Sequence, residues 1–345
     1  MIAPTIRGVG MYVPERVMTN ADLEKLVDTS DEWITSRTGI RERHIAADDE
    51  TSSSMGAQAA RCAIENAGIS PDEIDLVIVG TATPDFPFPA TACLVQDALG
   101  ITGGAFDVEA GCTSFMYALS AASSFVMSGM HANVLVIGTE VLSRILDWTD
   151  RSTCVLFGDG AGAVVVSAGE FASFQPQFIL GADGSGGPSL CVPAGGSARP
   201  ASEETIADRL HFVKMAGPEV FRFATRVVEE STGQVLQKSG LTPEDVDLFI
   251  PHQANVRIID HAVKRLRIPR DRVFLNIDRY GNTSSASIPI ALFEAQQNGK
   301  LKPGDTILTV GFGAGLTWGA GAIQWMAHVA PQEVPASETE LVTAT

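Results

Sequence analysis

The chain has 345 residues, 45% of them hydrophobic and 19% charged, with a net charge of −17. This is a globular composition too long for a single core, and the acidic balance disfavours a nucleic-acid binder, whose affinity comes from neutralising phosphates. No apolar run approaches a membrane span, no basic-plus-apolar leader opens the chain, and the five scattered cysteines match neither a disulfide framework nor a zinc pattern. A soluble, cytoplasmic protein without a bound metal is therefore expected.

In chain order, Met1–Pro14 reads as a strand entering a turn, and Ser54–Ala67 as a helix closed by Gly68. The run 68–79 (GISPDEIDLVIV) is a Gly helix stop, a Pro-initiated turn with acidic residues, and a buried strand. The same pattern recurs at 240–251 (GLTPEDVDLFIP), again behind a helical run, Phe221–Ser239. Each copy is followed by a further apolar strand (Asn133–Gly138; Asp305–Val310), a Gly-rich turn (Gly158–Gly162; Gly311–Gly315) and another strand (Ala163–Ser167; Gly321–Trp325). An offset of about 170 residues is too long for a solenoid and indicates two duplicated α/β halves. The expected division is residues 1–170 and 171–328, with a polar, proline-bearing tail over 329–345 that reads as disordered.

Ala105–Glu109 alternates as a short strand, and Thr113–Met130 is a mostly apolar helical run. Cys112 lies between them, at a strand-to-helix turn where free N–H groups and the helix dipole favour a thiolate. Inert packing is the alternative for any cysteine, and Cys62, Cys93, Cys154 and Cys191 read that way, with Cys154 opening an apolar strand. His252 follows the strand of the second repeat and precedes a helix, a position that suits either proton handling or a structural cap. Asn282, in Gly281-Asn282-Thr283-Ser284, reads locally as a turn and N-cap, although the repeat offset places its loop near the equivalent of Cys112. Residues 158–163 (GDGAGA) fit the dinucleotide fingerprint in form, but β-branched residues follow instead of a helix, which excludes NAD binding. The Gly311–Leu316 segment could present backbone N–H groups as an oxyanion hole.

Together these motifs resemble the β-ketoacyl-ACP synthase III family, the initiating condensing enzymes of bacterial fatty acid synthesis. The resemblance rests on Cys112 in Gly-Cys-Thr, His252 in His-Gln-Ala-Asn, Asn282 in Gly-Asn-Thr-Ser, and the runs 31–34 (DEWI), 37–40 (RTGI), 147–151 (DWTDR), 157–163 (FGDGAGA) and 311–319 (GFGAGLTWG), in order over roughly residues 4–328. It implies a thiolase-like five-layered αβαβα fold of two duplicated halves, assembled as a homodimer. It also distinguishes relatives: elongating condensing enzymes use two histidines where this chain has His252 and Asn282, and thiolases carry a second catalytic cysteine where none lies beyond Cys191.

The implied reaction is ping-pong: Cys112 takes an acyl group from acyl-CoA, malonyl-ACP loses CO2 under hydrogen bonds from His252 and Asn282, and the carbanion attacks acyl-Cys112. Backbone N–H groups of Cys112 and Ala314 are the implied oxyanion hole, and no metal or redox cofactor is implied. By the same resemblance, Trp33 stacks on adenine with Arg37 and Arg151 near phosphates, although Trp33 alone reads equally as a buried helix anchor. Met215, Gly217, Phe221 and Asn255 line the pantetheine tunnel, Phe312 walls the site, and Phe88 reaches the partner's acyl pocket. Many family members have Gly where Ala314 stands, so its methyl bears on the backbone of the oxyanion loop. Arg257, Lys264 and Arg265 lead a basic cluster on an acidic background, which reads either as a solvated helix face or as a dock for the acidic acyl carrier protein. Two competing functions are a relative that loads starter units in natural-product synthesis and a non-catalytic acyl-CoA binder.

Overall fold

The structure is a computed structural model that describes residues 3–169 and 174–326. The expected tail at 329–345 and the junction between residues 170 and 171 lie outside the described residues. The first sheet contains β1 (Ala3–Tyr12), β2 (Leu76–Gly80), β3 (Gly104–Val108), β4 (Asn133–Glu140) and β5 (Gly160–Gly169), in the order β1-β5-β4-β2-β3. The second contains β6 (Gln177–Ala182), β7 (Leu248–Pro251), β8 (Thr306–Gly313) and β9 (Thr317–Gln324), in the order β7-β8-β9-β6. β4, β2 and β3 run parallel, as do β7 and β8, while β5 and β9 are antiparallel to their neighbours.

The principal helices are α1 (Asp31–Thr38), α2 (Ser52–Ala67), α3 (Thr91–Leu99), α4 (Ser114–Met127), α5 (Gly217–Ser239), α6 (Val256–Leu266) and α7 (Ser287–Gln297). Three hydrophobic clusters define five layers. α2 and α3 cover one face of the first sheet through Met55, Ala59, Ile64 and Val95 against Val77, Val79 and Ile137. α4 and α7 lie between the sheets, where Phe115, Leu119, Ile288 and Leu292 meet Ile78 and Val136 on one side and Ile250, Ile307 and Ile323 on the other. α5 and α6 cover the far face of the second sheet through Val227, Val228 and Ile259 against Phe249, Leu308 and Val310. The central helices have apolar residues on more than one face because both faces are buried. Each such aliphatic or aromatic side chain contributes about 1.5–3 kcal/mol on burial. The layering is the thiolase-like αβαβα arrangement.

The two repeat copies fold alike. Gly68 and Gly240 end their helices in the left-handed region, at φ 65° and 69°. In each copy a capping box holds the turn that follows: Glu73 accepts from the Ser70 N–H and Asp245 from the Thr242 N–H, both at 2.8 Å. Elsewhere the sequence reading is corrected. β5 begins at Gly160 and β8 runs through Gly313, so glycines expected in turns lie largely within strands. They are there because other backbones press on them, not because a turn requires them: a Cβ at Gly162 would come within 2.7 Å of the Ile290 N in α7. Cys154 lies in a turn closed by its own N–H to the Asp150 carbonyl and opens no strand. β5 is followed by no helix before the described residues break off, and it is paired on both sides by β1 and β4. No helix among the described residues is long and apolar enough to cross a membrane.

Candidate active site

Cys112 sits one residue before the Thr113 N-cap of α4, after a turn in which Gly111 adopts φ 55°. The turn is tied locally by Ser114 Oγ, which accepts from the Ala110 N–H at 2.8 Å and donates to the Gly111 carbonyl at 2.7 Å. It is tied to the second sheet by Thr317, whose hydroxyl lies 2.7 Å from the Ala110 carbonyl and 2.9 Å from the Ala314 carbonyl. The loop after β8 and the nucleophile turn are interlocked at backbone distance. A Cβ on Gly313 would lie 2.5 Å from the Cys112 N, and one on Gly111 would lie 2.8 Å from the Ala314 N. Ala314 is not among the positive-φ residues, so its methyl is accommodated without left-handed strain.

The thiol does not behave as its helix-terminal position suggested. Burial dominates and pushes Cys112 up to about 12, aided by the negative charge of Glu140 and opposed by the Ser284 hydroxyl. The helix N-terminus is offset by desolvation, because a thiolate in an apolar enclosure loses more hydration than the dipole returns.

His252 follows β7, with its N–H on the Val310 carbonyl at 2.8 Å. Its ring is 1% exposed and stands edge-on to Phe312, at 5.2 Å between centroids. Nδ1 lies 2.6 Å from Ser287 Oγ, at the start of α7, while the buried Nε2 has no partner among the described residues. Burial lowers His252 to about 3, so the imidazole is neutral at physiological pH. The Ser287 hydroxyl is placed to donate to Nδ1, the arrangement that puts the ring proton on Nε2. The adjacent Gln253 anchors the loop by donating to the Pro251 carbonyl at 2.7 Å and accepting from the Asn276 N–H at 3.2 Å.

A stability consequence follows from neutral His252. Its folded pKa is depressed below the ordinary 6.5, so at acid pH the unfolded chain binds the extra proton and the folded one does not. This residue's contribution is complete above about pH 6.5 and is lost progressively as pH falls toward about 3. Urea unfolding at pH 7 and pH 5 should therefore show a smaller acid loss in His252→Ala than in the wild type; equal losses would exclude a neutral buried imidazole.

Asn282 is held between the halves, its N–H on the Leu156 carbonyl at 2.9 Å and its carbonyl accepting from the Gly158 N–H at 3.0 Å. Its Oδ1 accepts from the Ser284 N–H at 2.8 Å, so the local turn expected from sequence does form, but Asn282 is not the N-cap: Thr283 precedes the short 284–286 turn and Ala286 precedes α7, which has no side-chain cap. That bond leaves the amide Nδ2 for the cavity. Cys112, His252 and Asn282 line one small cavity of about 100 Å³, together with Phe312, Met215, Gly217, Phe221 and Asn255. A larger cavity of about 400 Å³ adjoins Cys112, with an apolar wall that includes Leu142, Ile145, Phe157, Leu190 and Val213.

The other predicted residues fall in three places. Trp33, on α1, is 37% exposed and is covered by the Arg151 guanidinium at 5.4 Å, so it is a surface platform and not a buried anchor. The Arg37 carbonyl accepts from Asn255 Nδ2 at 3.1 Å, which joins α1 to the cavity mouth. Phe88 is 85% exposed and lines neither cavity of its own chain. On α6, Arg257 lies over Phe221 at 5.5 Å and Arg265 pairs with Glu229 at 3.0 Å, whereas exposed Lys264 has no partner among the described residues. Ser287 and Glu140 carry no local mark in the sequence, and Ser284 is marked there only as the near-equivalent of Cys112 in the second half. These three converge only through tertiary packing. Cys191, read as packing, lines the larger cavity. Among the described residues no cluster of His, Cys, Asp or Glu forms a metal site.

Comparison with known proteins follows the same motifs. The family model described as 3-oxoacyl-[acyl-carrier-protein (ACP)] synthase III matches residues 106–184, and that of its C-terminal part matches residues 236–325. The chain is 54% identical to a beta-ketoacyl-[acyl-carrier-protein] synthase III of Caldanaerobacter subterraneus, over 94% of this chain and 98% of that one. It is 56% identical to another from Symbiobacterium thermophilum, over 93% and 97%. A crystal structure of 3-oxoacyl-[acyl-carrier-protein] synthase III from Aquifex aeolicus superposes with a TM-score of 0.87 at 51% identity, covering 94% of this chain and all of that one.

Proposed function

The chain belongs to the β-ketoacyl-[acyl-carrier-protein] synthase III family, condensing acyltransferases that initiate fatty acid synthesis from acyl-CoA and acyl carrier protein, and on that premise we propose which residues carry the reaction. The observation that supports the assignment is the convergence of Cys112, unpartnered His252 Nε2 and Asn282 on one cavity.

Cys112 sulfur attacks the acyl-CoA carbonyl, the thioester bond to CoA breaks, and the thiol proton leaves on CoA sulfur. The backbone N–H groups of Cys112 and Ala314, brought together by the interlocked glycines, hold the tetrahedral oxyanion. Malonyl-ACP then places its thioester oxygen between His252 Nε2–H and Asn282 Nδ2. Loss of CO2 moves an electron pair onto that oxygen, and two neutral donors stabilise the enolate without burying a cation beforehand. The carbanion attacks acyl-Cys112, β-ketoacyl-ACP departs, and the sulfur takes up one proton. The high thiol pKa favours that last step. Every step uses protein groups, and acyl-CoA and malonyl-ACP are substrates, not resident cofactors.

Trp33, Arg37 and Arg151 form the outer CoA contact, and Met215, Gly217, Phe221 and Asn255 the pantetheine path. The Arg151 guanidinium over Trp33 and the Asn255–Arg37 bond support this order from surface to cavity. The exposure of Phe86 and Phe88, at 55% and 85%, supports a homodimer in which this flap covers the partner's acyl cavity. A cytoplasmic location accords with CoA and ACP substrates. The overall assignment is tested by mass spectrometry: acyl-CoA should leave an acyl adduct on Cys112 that malonyl-ACP then discharges, and an adduct elsewhere would refute it.

For carrier-protein docking, Lys264, unpaired among the described residues, is the informative position, because Arg257 also touches Phe221 and Arg265 is engaged by Glu229. Lys264→Glu should raise KM for malonyl-ACP several-fold and leave KM for acyl-CoA unchanged, since charge at an interface rim acts on the charged partner. Equal changes in both constants would exclude the dock.

A further inference from the structure

Glu140, the last residue of β4, is 0% exposed and touches no reacting atom in the chemistry above, although its charge adds to raising the Cys112 thiol. A buried carboxylate without a cation is costly to retain, and among the described residues no ion pair involves Glu140. It is instead ringed by donors from two segments far apart in sequence. From the segment after β2, the Ala82 N–H reaches Oε2 at 3.1 Å, Thr83 Oγ1 reaches it at 2.6 Å and Thr81 Oγ1 at 3.4 Å. From the Asn282 loop, Ser284 Oγ and Ser285 Oγ reach Oε1 at 3.0 and 2.8 Å.

Burial pushes the Glu140 carboxyl up, and the Thr83, Ser285 and Ser284 hydroxyls and the Ala82 N–H pull it back by donating to the carboxylate form, which only accepts; Ser285 Oγ is shared with the Gly80 carbonyl at 2.8 Å. The Asn282 loop needs such a hold. Ser284 sits at φ 49°, a left-handed conformation unfavourable for a side chain with a Cβ. In that conformation the Ser284 N–H meets Asn282 Oδ1 at 2.8 Å. The amide of Asn282 is nearly isosteric under a flip, and a flipped amide would present an acceptor to the developing enolate oxygen, repelling it. The bond from Ser284 N–H fixes which end faces the cavity, and Glu140 fixes Ser284. Close packing reinforces the hold: a Cβ on Gly138, two residues before Glu140, would meet the Ser285 carbonyl at 2.2 Å.

We propose that Glu140 is a positioning residue for condensation: by anchoring Ser284 and Ser285 it holds the strained loop that presents Asn282 Nδ2, not Oδ1, to the malonyl thioester. The role is specific to one half-reaction, because Cys112 acylation makes no use of Asn282. The inference rests on the function assigned to Asn282 above.

The test separates the half-reactions in the full-length enzyme. Acylation is followed as adduct formation on Cys112, and decarboxylation as CO2 release from malonyl-ACP. Glu140→Ala should slow CO2 release by about 100-fold, as expected for misplacement on the order of 1 Å, with acylation changed less than about threefold. Glu140→Gln, which keeps the volume and one acceptor oxygen, should recover most of the lost rate. If Glu140→Ala fails to fold, Ser285→Ala removes one of the two anchoring hydroxyls and leaves Ser284, whose hydroxyl also acts on the Cys112 thiol, in place, and it should show the same split to a smaller degree. Parallel losses in both half-reactions, or unchanged CO2 release, overturn the proposal. Asn282→Ala is the control: wild-type CO2 release there refutes the role of Asn282 itself, whereas loss there without loss in the Glu140 variants refutes only the positioning role.

Discussion

In Cys112→Ser, incubation with acyl-CoA leaves the protein mass unchanged, and β-ketoacyl-ACP formation falls by at least about 10⁴-fold. The substitution changes one atom and leaves the turn intact, because the contacts that fix it run through Ser114, Thr317 and the glycine backbone. What changes is nucleophilicity. A hydroxyl needs a strong base beside it, and in the proposed arrangement Glu140 and His252 do not serve as one: Glu140 is held by donors, and a Ser287 hydroxyl donating to Nδ1 puts the His252 ring proton on Nε2. The test is intact-protein mass spectrometry together with steady-state product formation. Retention of an acyl adduct in the variant would move the nucleophile elsewhere.

His252→Ala and Asn282→Ala should each still accept the acyl group, yet release CO2 from malonyl-ACP about 10²–10³ times more slowly, the loss usual for one donor to a developing oxyanion. The split follows from position. Both side chains line the small cavity, but neither is bonded to the thiol, and backbone groups are the proposed partners of the acylation oxyanion. Because His252 is held to about 3, its protonation does not shape the rate between pH 5 and 8. Burst measurement of the acyl-enzyme and of released CO2 in each variant checks the pair of effects. Complete loss of acylation in His252→Ala would show that the imidazole acts on the thiol.

Much of this was legible in the sequence, for physical reasons that differ by element. The repeat at 68–79 and 240–251 was readable because its helix stop, turn and strand are local, and local rules also govern them in the folded state. Cys112 and His252 were readable because each stands at a junction of opposite periodicities. The thiol's chemistry was not. Position on the helix suggested an easily ionised cysteine, but desolvation by distant segments decides the outcome and leaves no mark in residues 106–115. The glycines of β5 and β8 misled for a related reason: the request for a small residue comes from α7 and the nucleophile turn, far away along the chain. Glu140 was invisible for the same cause, since its partners at 81–83 and 284–285 assemble only when the sheets pack.

The interlock of Gly111 with Ala314 and of Gly313 with Cys112 also bears on how such an enzyme can change over evolutionary time. In the proposed reaction, stabilisation of the anionic intermediate is written in main chain, while the larger cavity, proposed to receive the acyl group, is walled by side chains such as Leu142, Ile145 and Val213. Drift in those walls can alter which primer fits without touching the groups that hold charge. Substrate range and catalytic power therefore sit on separately mutable parts of the molecule, and lineages can diversify in the first while conserving the second.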